Sequence, residues 1–340
     1  MATALDVLLI GGSGFMGPAV ARALLEAGHR VTILSRGRRA PLDGVTMITA
    51  DRGDPAALAA ALENRRFDFT VDFLVFDAVD LERLLLVPYA ALGRYVMIST
   101  GQVYLVTRDA EPPFLEESAD GALHDAPGEE SPLHAGWVYG IGKRRAEQAL
   151  LALRATHGMR AVALRLPIVT GEGDESLRLW GYLERMLDGG PIVLPDGGRR
   201  LTRHLDVRDL ARAVARLAES GPPRGAFYNL AQPEALPLAD LLARIARAAG
   251  VTPRFVEASW DECRAAGLDA SCSPYAGPWA SVLDPSRAAA EWGFLGTRPD
   301  DYLPRIVRWH LDHRPPQSHE GYAQRSTEVA LAARLAGAAR

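Results

Sequence analysis

Short apolar runs alternate with helical periodicities along the first two thirds of the chain. Leu5-Asp6-Val7-Leu8-Leu9-Ile10 is strand-like; past a glycine-rich turn, Val20, Leu24 and Leu25 recur at helical spacing until Gly28, and the β-branched run Val31-Thr32-Ile33-Leu34 follows. Further strands are predicted over 45–49, 69–76, 95–99 and 160–166, with helices opening at Asp54-Pro55 and running over 79–92 and 137–157. Such alternation builds an α/β fold with a doubly wound parallel sheet, whose ligands bind beyond the carboxyl ends of the strands, here near Gly11 to Gly17, Asp77, Thr100 and Pro167. After Pro167 the texture changes. Strand signals at 191–194, 201–205 and 227–230 interleave with helices over 177–187, 209–218 and 238–249, which predicts a smaller C-terminal α/β substrate lobe. The expected division is 1–166 for the sheet domain, 167–313 for the lobe with some interleaved sheet elements, and 314–340 for a tail. Pro315-Pro316 closes the last well-patterned helix, 300–313, and 327–338 is either a detached amphipathic helix or a frayed end.

Composition narrows the class without naming a chemistry. Of 340 residues, 48% are hydrophobic and 24% charged, as in an ordinary soluble globular protein. The apolar stretches are strand-length and interrupted, and Met1 to Asp6 has no basic leader, so neither membrane nor export is expected and the cytoplasm is the default location. A net charge of -4 with scattered arginines argues against a nucleic-acid face. Cys263 and Cys272 lack the companions of a disulfide framework or a zinc site, so no metal is expected.

The turn Gly11-Gly12-Ser13-Gly14-Phe15-Met16-Gly17 lies between a strand and a helix inside a βαβ unit, the context in which such a motif binds a dinucleotide. Gly11 permits the tight turn, Gly14 lets backbone approach a pyrophosphate, and Gly17 lets the helix pack close. The helix N-terminus offers free amides to the anion, and Ser13, Phe15 and Met16 share the cofactor-binding segment. The second strand ends in Leu34-Ser35-Arg36-Gly37-Arg38-Arg39, with arginines where an NAD site carries an acid. Arg36 is suited to stack on adenine and hold a 2′-phosphate, with Ser35 donating a hydroxyl, so NADP(H) is the expected cofactor and NAD(H) the lesser one; a solvated basic turn is the alternative. Asp51, with Arg52 beside it, is placed either to meet the adenine edge or to cap the helix at Asp54-Pro55.

Lys143 is the single lysine among 38 basic side chains, four residues after Tyr139. At that spacing the two side chains share one helix face. A compact ammonium can bind ribose hydroxyls and lower a neighbouring phenol's pKa, which a guanidinium does not do. Gly140 and Gly142 between them each cost about 1 kcal/mol in a helix interior, which predicts a close approach to that backbone. Ser99-Thr100-Gly101-Gln102-Val103-Tyr104, at the end of the fifth strand, brings a hydroxyl to the same edge.

With these motifs the chain resembles an extended short-chain dehydrogenase/reductase of the NAD-dependent epimerase/dehydratase family, over about residues 5 to 312. Gly11-x-x-Gly14-x-x-Gly17 matches its nucleotide turn in a Rossmann-type fold, Tyr139-x-x-x-Lys143 its catalytic pair, and the register of Val103-Tyr104 puts its catalytic hydroxyl on Thr100. Val207 to Ala211, Tyr228 to Leu230 and Trp292 to Phe294 match landmarks of the fold. The resemblance implies hydride transfer between a nicotinamide and a carbinol/carbonyl carbon. Tyr139 would act as acid or base, Lys143 would hold the nicotinamide ribose and depress the phenol pKa from about 10, and Thr100 would hydrogen-bond the substrate oxygen. Pro167 completes the implied cofactor site, and a homodimer is the implied assembly.

Departures from the family pattern narrow the reaction. The acidic pair of dehydratases is replaced by Gly101 and Gln102, and the arginine that clamps a sugar-nucleotide diphosphate is replaced by Thr202, with Arg203 one place later on the other strand face. Phe73-Leu74-Val75-Phe76-Asp77 is bulky where the family is commonly small. A small metabolite without a nucleotide tail is therefore expected, contacting Gln102, Trp137, Tyr139, Trp180 and Arg203. The expected activity is NADP(H)-dependent carbonyl reduction or alcohol oxidation. The alternatives are a sugar-nucleotide epimerase retaining NAD(H), and a non-catalytic NADP-binding or RNA-associated protein.

Overall fold

The computed structural model describes residues 3–88, 91–220 and 224–338. In chain order the elements begin with β1 (Asp6–Ile10), α1 (Met16–Glu26), β2 (Arg30–Ser35), β3 (Thr46–Thr49), α2 (Pro55–Leu62), β4 (Phe69–Asp72) and α3 (Ala78–Glu82). Next come β5 (Arg94–Thr100), α4 (Gln102–Leu105), α5 (His134–His157), β6 (Ala161–Leu166), β7 (Ile168–Thr170), α6 (Arg178–Leu187), β8 (Ile192–Pro195), β9 (Leu201–Thr202) and β10 (His204–Asp206). The remainder is α7 (Val207–Ser220), β11 (Phe227–Asn229), β12 (Leu236–Pro237), α8 (Leu238–Ala249), β13 (Phe255–Ala258), α9 (Trp260–Ala265), α10 (Ser286–Trp292), α11 (Pro299–Asp312) and α12 (Arg325–Ala338). The chain divides into two compact units, each made of three stretches. Met1–Val169, Val207–Ala231 and Leu283–Gly296 form the first, and Thr170–Asp206, Gln232–Val282 and Thr297–Arg340 the second.

The first unit is a Rossmann-type fold around one seven-stranded sheet in the order β11-β6-β5-β4-β1-β2-β3, parallel throughout. Helices cover both faces of such a sheet, so its strands read as continuous apolar runs rather than alternating ones. Val7 to Ile10 are accordingly all fully buried. α1 lies against α7, and α5 against α3 and α4.

The second unit packs α8 on α11 and pairs β8 with β13 in parallel. The expected detached or frayed segment at 327–338 is instead the body of α12, whose Leu331 and Ala332 join Val193, Ala258, Cys263 and Cys272 in a buried cluster. Its apolar side is used, so it stays folded against β8.

Two predicted elements end early for identifiable reasons. The 69–76 strand stops at Asp72, because the Leu74 N–H turns back to the Asp72 carboxylate (2.9 Å) and the Phe76 N–H goes to Asp80 (2.7 Å) instead of a strand neighbour. The 79–92 helix is α3 followed by a 3-10 turn at Arg83–Leu86, ending before Pro88, which has no N–H to extend it; Tyr89 and Ala90 lie outside the described residues. The 201–205 strand splits at Arg203 into β9 and β10. Among the described residues no helix is long and apolar enough to cross a membrane, and no group of three or more His, Cys, Asp or Glu is placed to hold a metal ion.

Candidate active site

At the carboxyl edge of β1 and β2 the first unit carries a cleft of about 630 Å³, lined by Gly11, Ser13, Gly14, Ser35, Arg36, Asp51, Arg52, Leu74 and Phe76 among others. Gly11 has φ +78°, and a Cβ there would come within 2.4 Å of Leu74. A Cβ on Gly17 would sit 2.1 Å from the Gly12 carbonyl oxygen, so α1 rests directly on the turn. Gly14 has nothing within 4 Å on its open side, which leaves backbone exposed to an approaching anion. Phe15, Met16 and Gly17 carry the turn into α1 rather than forming cleft wall.

At the other end of the cleft Arg36 is exposed, and the Ser35 hydroxyl accepts the Gly37 N–H at 3.3 Å. The Asp51 carboxylate accepts the Gly53 N–H at 2.8 Å, whereas Asp54 caps α2 through the Ala56 and Ala57 amides, so Asp51 is not the helix cap. Arg52 lines the cleft and is buried, with its guanidinium on the Asp72 carboxylate (2.7 and 3.1 Å) and the Asp80 carbonyl (2.8 Å), so its side chain also braces the cleft floor. Open backbone at Gly14, a helix start and exposed arginine at the far rim are donors that suit the phosphates of a nicotinamide dinucleotide.

Tyr139 and Lys143 lie on α5, and Thr100 ends β5. The Thr100 hydroxyl is close enough to the Tyr139 phenol to favour its ionised form, and the Gln102 N–H donates to Thr100 Oγ1 at 3.3 Å. Lys143 Nζ donates to the Ile98 carbonyl at 2.9 Å and lies 4.9 Å from the centre of the Phe76 ring and 5.8 Å from that of Tyr139. The three predicted catalytic side chains therefore converge. The two helix glycines are explained by contact. A Cβ on Gly142 would meet the Phe76 carbonyl oxygen at 2.5 Å, and one on Gly140 would meet Val106 at 2.7 Å and the Gln102 carbonyl at 3.0 Å. Burial brings the Lys143 ammonium down to about 8, against the opposing pull of Asp72, Glu147 and Asp80. Tyr139 is raised, not depressed: burial disfavours the phenolate, and Thr100 offsets this only in part. The expected lowering by Lys143 does not appear because the ammonium is directed at Ile98 and Phe76, not at the phenol oxygen.

Residues 7–231 match the NAD dependent epimerase/dehydratase family. The chain belongs to that family. It is 30% identical over 341 residues to the 2'-dehydrokanamycin reductase of Streptomyces kanamyceticus, covering 96% of this chain and 84% of that protein. It is 28% identical over 264 residues to the 2-alkyl-3-oxoalkanoate reductase of Stenotrophomonas maltophilia, covering 72% of this chain and 76% of that one. The UDP-N-acetylglucosamine 4-epimerase of Bacillus cereus has the same fold, with a TM-score of 0.69 at 16% identity over 90% of this chain and 99% of that chain. As a member of this family the protein is an enzyme of the extended short-chain dehydrogenase/reductase type, a group of NAD(P)-dependent oxidoreductases, epimerases and dehydratases.

Within this family fold a buried polar network stands behind the edge that carries Thr100 and Lys143, and sequence motifs did not reveal it. Ser99, next to Thr100, donates to Glu147 at 2.6 Å. Glu147, one turn after Lys143, takes Arg165 bidentately at 2.9 and 2.7 Å. Arg165 continues to the Tyr104 hydroxyl (2.8 Å) and the Glu116 carbonyl (2.6 Å), and Tyr104 donates to Asn229 at 2.7 Å. The signal was present in Arg165: a guanidinium inside the apolar run Ala161–Leu166 requires a buried partner. The remaining predicted contacts are dispersed. Pro167 is buried after β6; Gln102 and Trp137 are half-buried in the first unit. Trp180 and Arg203 belong to the second unit. There Trp180 is interior, 6.2 Å from the His310 ring, because α6 turns Leu179, Trp180, Leu183 and Met186 into the core. Arg203 donates to the carbonyls of Gln232 (2.9 Å) and Pro233.

Proposed function

We propose that the protein is an NADP(H)-dependent reductase that converts a ketone on a small metabolite to a secondary alcohol, with Tyr139 as proton donor. The observation that carries this reading is the hydroxyl pair of Thr100 and Tyr139 set beside the buried Lys143 at the end of the dinucleotide cleft. When bound, the cofactor supplies the hydride that adds to the carbonyl carbon. Thr100 and Tyr139 hold the carbonyl oxygen through their hydroxyls, and the proton on Tyr139 Oη passes to that oxygen as the alcohol forms. The raised phenol pKa suits this direction, since Tyr139 carries its proton at neutral pH. Lys143 supplies positive charge behind the phenol and a donor for the nicotinamide ribose. Gly11, Ser13, Gly14 and the start of α1 would hold the pyrophosphate, and Ser35 and Arg36 the 2′-phosphate.

The printed activities of the two relatives support reduction: both names denote reductases, and their 2'-dehydro and 3-oxo positions are carbonyls. Gly101 and Gln102 supply no acid and base for elimination. The test is stoichiometric. Purified protein carrying little bound NAD(H) consumes one NADPH per ketone reduced. Protein that emerges with NAD(H) in every subunit and interconverts UDP-hexoses without net redox change overturns the reading. For the cofactor, fluorescence titration of Arg36→Ala should show NADPH binding weakened by about 1.5–3 kcal/mol, the range for hydrogen bonds to charged groups, with NADH little affected. Equal affinities of the unmodified protein for both cofactors refute the NADP preference.

A further inference from the structure

Phe76 is an aromatic side chain that the fold leaves 49% exposed, at a loop position where packing does not require it. Its ring nevertheless borders the cleft. It lies 4.9 Å from Lys143 Nζ and 6.5 Å from the Tyr139 ring at an interplanar angle of 50°. The backbone beneath it is pinned from several directions. Asp80 Oδ2 accepts the N–H groups of Phe76 (2.7 Å) and Asp77 (3.1 Å), and Asp72 accepts that of Leu74 (2.9 Å). Arg52 bridges the two acids, and Arg83 adds a second cation to Asp80 at 2.9 Å. On the far side the Phe76 carbonyl rests on the bare Cα of Gly142, and Asp77 meets Arg145 of α5 at 3.3 Å. A loop held this closely presents one side chain in one place.

We propose that Phe76 is a positioning residue for the catalytic pair: its ring, carried on a backbone that Asp80 holds, roofs Lys143, excludes water from the ammonium and keeps it on the Ile98 carbonyl beside Tyr139. This rests on the reading of Tyr139 and Lys143 as the chemical pair. An aromatic face attracts an ammonium more strongly when both are dehydrated, and Lys143 is only 2% exposed. Its depressed basicity, caused chiefly by burial, agrees with a dry roof. Because Arg52 lines the adenosine end of the cleft while bracing Asp72 and Asp80, the same scaffold that floors the nucleotide site also sets the roof.

Lys143 is the single lysine of the chain, so side-chain amine labelling reports on one residue. Acetylation by an N-hydroxysuccinimide ester, read by peptide mass spectrometry to separate Lys143 from the N-terminus, should be at least tenfold faster in Phe76→Ala than in the unmodified protein and unchanged in Phe76→Tyr. With a reducible ketone, Phe76→Ala should lose at least tenfold in kcat, and Phe76→Tyr should restore it. Asp80→Ala should reproduce both effects, and the double variant should add little, as expected of residues acting through one contact. Folded Phe76→Ala with unchanged labelling and unchanged kcat overturns the proposal, whatever Asp80→Ala does. Faster labelling in a protein that reduces no ketone upholds the roof and defeats the reductase reading instead.

Discussion

The ammonium of Lys143 has exchanged water for one carbonyl, that of Ile98, and the face of Phe76, and two consequences follow at the level of this residue. Lys143→Arg should cut kcat more than tenfold, at least about 1.4 kcal/mol, with circular dichroism unchanged, because the guanidinium is too broad for the slot and never releases its proton. A variant keeping more than a tenth of kcat contradicts the role given to this lysine. The second consequence is a pH dependence. Burial lowers Lys143 to about 8 from 10.5, so the charged form is present below pH 8 and is lost as pH rises through it. Tyr139, shifted upward, stays protonated across the same range. Reductase turnover should therefore decline on the alkaline side with a midpoint near pH 8, and a limb beyond pH 10 would argue that Lys143 is not its origin. Between pH 8 and 10.5 the unfolded chain still holds a proton the folded one has released, so this group increases stability as pH rises through that window, and Lys143→Met should remove the increment. That Thr100, Tyr139 and Lys143 come together was legible in the sequence, because a fixed spacing on one helix and a strand end fixes their neighbourhood. The commitment of Arg52 to Asp72 and the upward shift of Tyr139 were not, since both depend on burial among residues distant in the chain.

Among the elements, α5 illustrates how a helix tolerates two glycines in its interior. Gly142→Ala gains helix propensity of about 1 kcal/mol but drives a Cβ to within 2.5 Å of a carbonyl oxygen that cannot easily retreat. We expect a net loss of about 1–3 kcal/mol in urea denaturation, as for overpacked sites, together with lower turnover as the Phe76 loop shifts. A variant more stable than the parent would mean that the loop yields freely. Strands β1, β2, β5 and β6 and helix α8 could be read from periodicity because two-sided burial writes an uninterrupted apolar run and an amphipathic helix a 3.6-residue one. The 69–76 prediction overran because apolar character alone does not say where backbone N–H groups go: carboxylates at Asp72 and Asp80 captured them and ended the strand. Short helices α9 and α10 passed unnoticed, each being too brief to establish a period.

On the scale of the whole molecule, the unit that carries the cleft and Thr100, Tyr139 and Lys143 is not an N-terminal domain in chain order, since it draws on Val207–Ala231 and Leu283–Gly296 as well as the first 169 residues. A fragment ending at Val169 lacks β11 beside β6 and α7 against α1. It should lack a cooperative thermal transition and bind no NADPH, and a fragment that melts sharply and binds cofactor would show the later stretches to be ornamental. The polar network makes the dependence concrete. The Glu116 carboxylate receives the Asn229 amide at 2.9 Å and faces Arg287 at 3.6 Å, while the Asn229 side chain donates to the carbonyls of Phe114 and Asp284 at 2.9 and 3.1 Å. One residue from each of the three stretches must arrive before these buried groups are satisfied. At a synthesis rate of about 5–20 residues per second, Glu116 emerges roughly ten seconds or more ahead of Arg287. Through that interval a nascent chain with most of its sheet already made holds a carboxylate bound for the interior and lacking the Arg287 guanidinium, so on the ribosome the molecule is expected to stay soft and accessible to chaperones until the stretch Leu283–Gly296 is in reach.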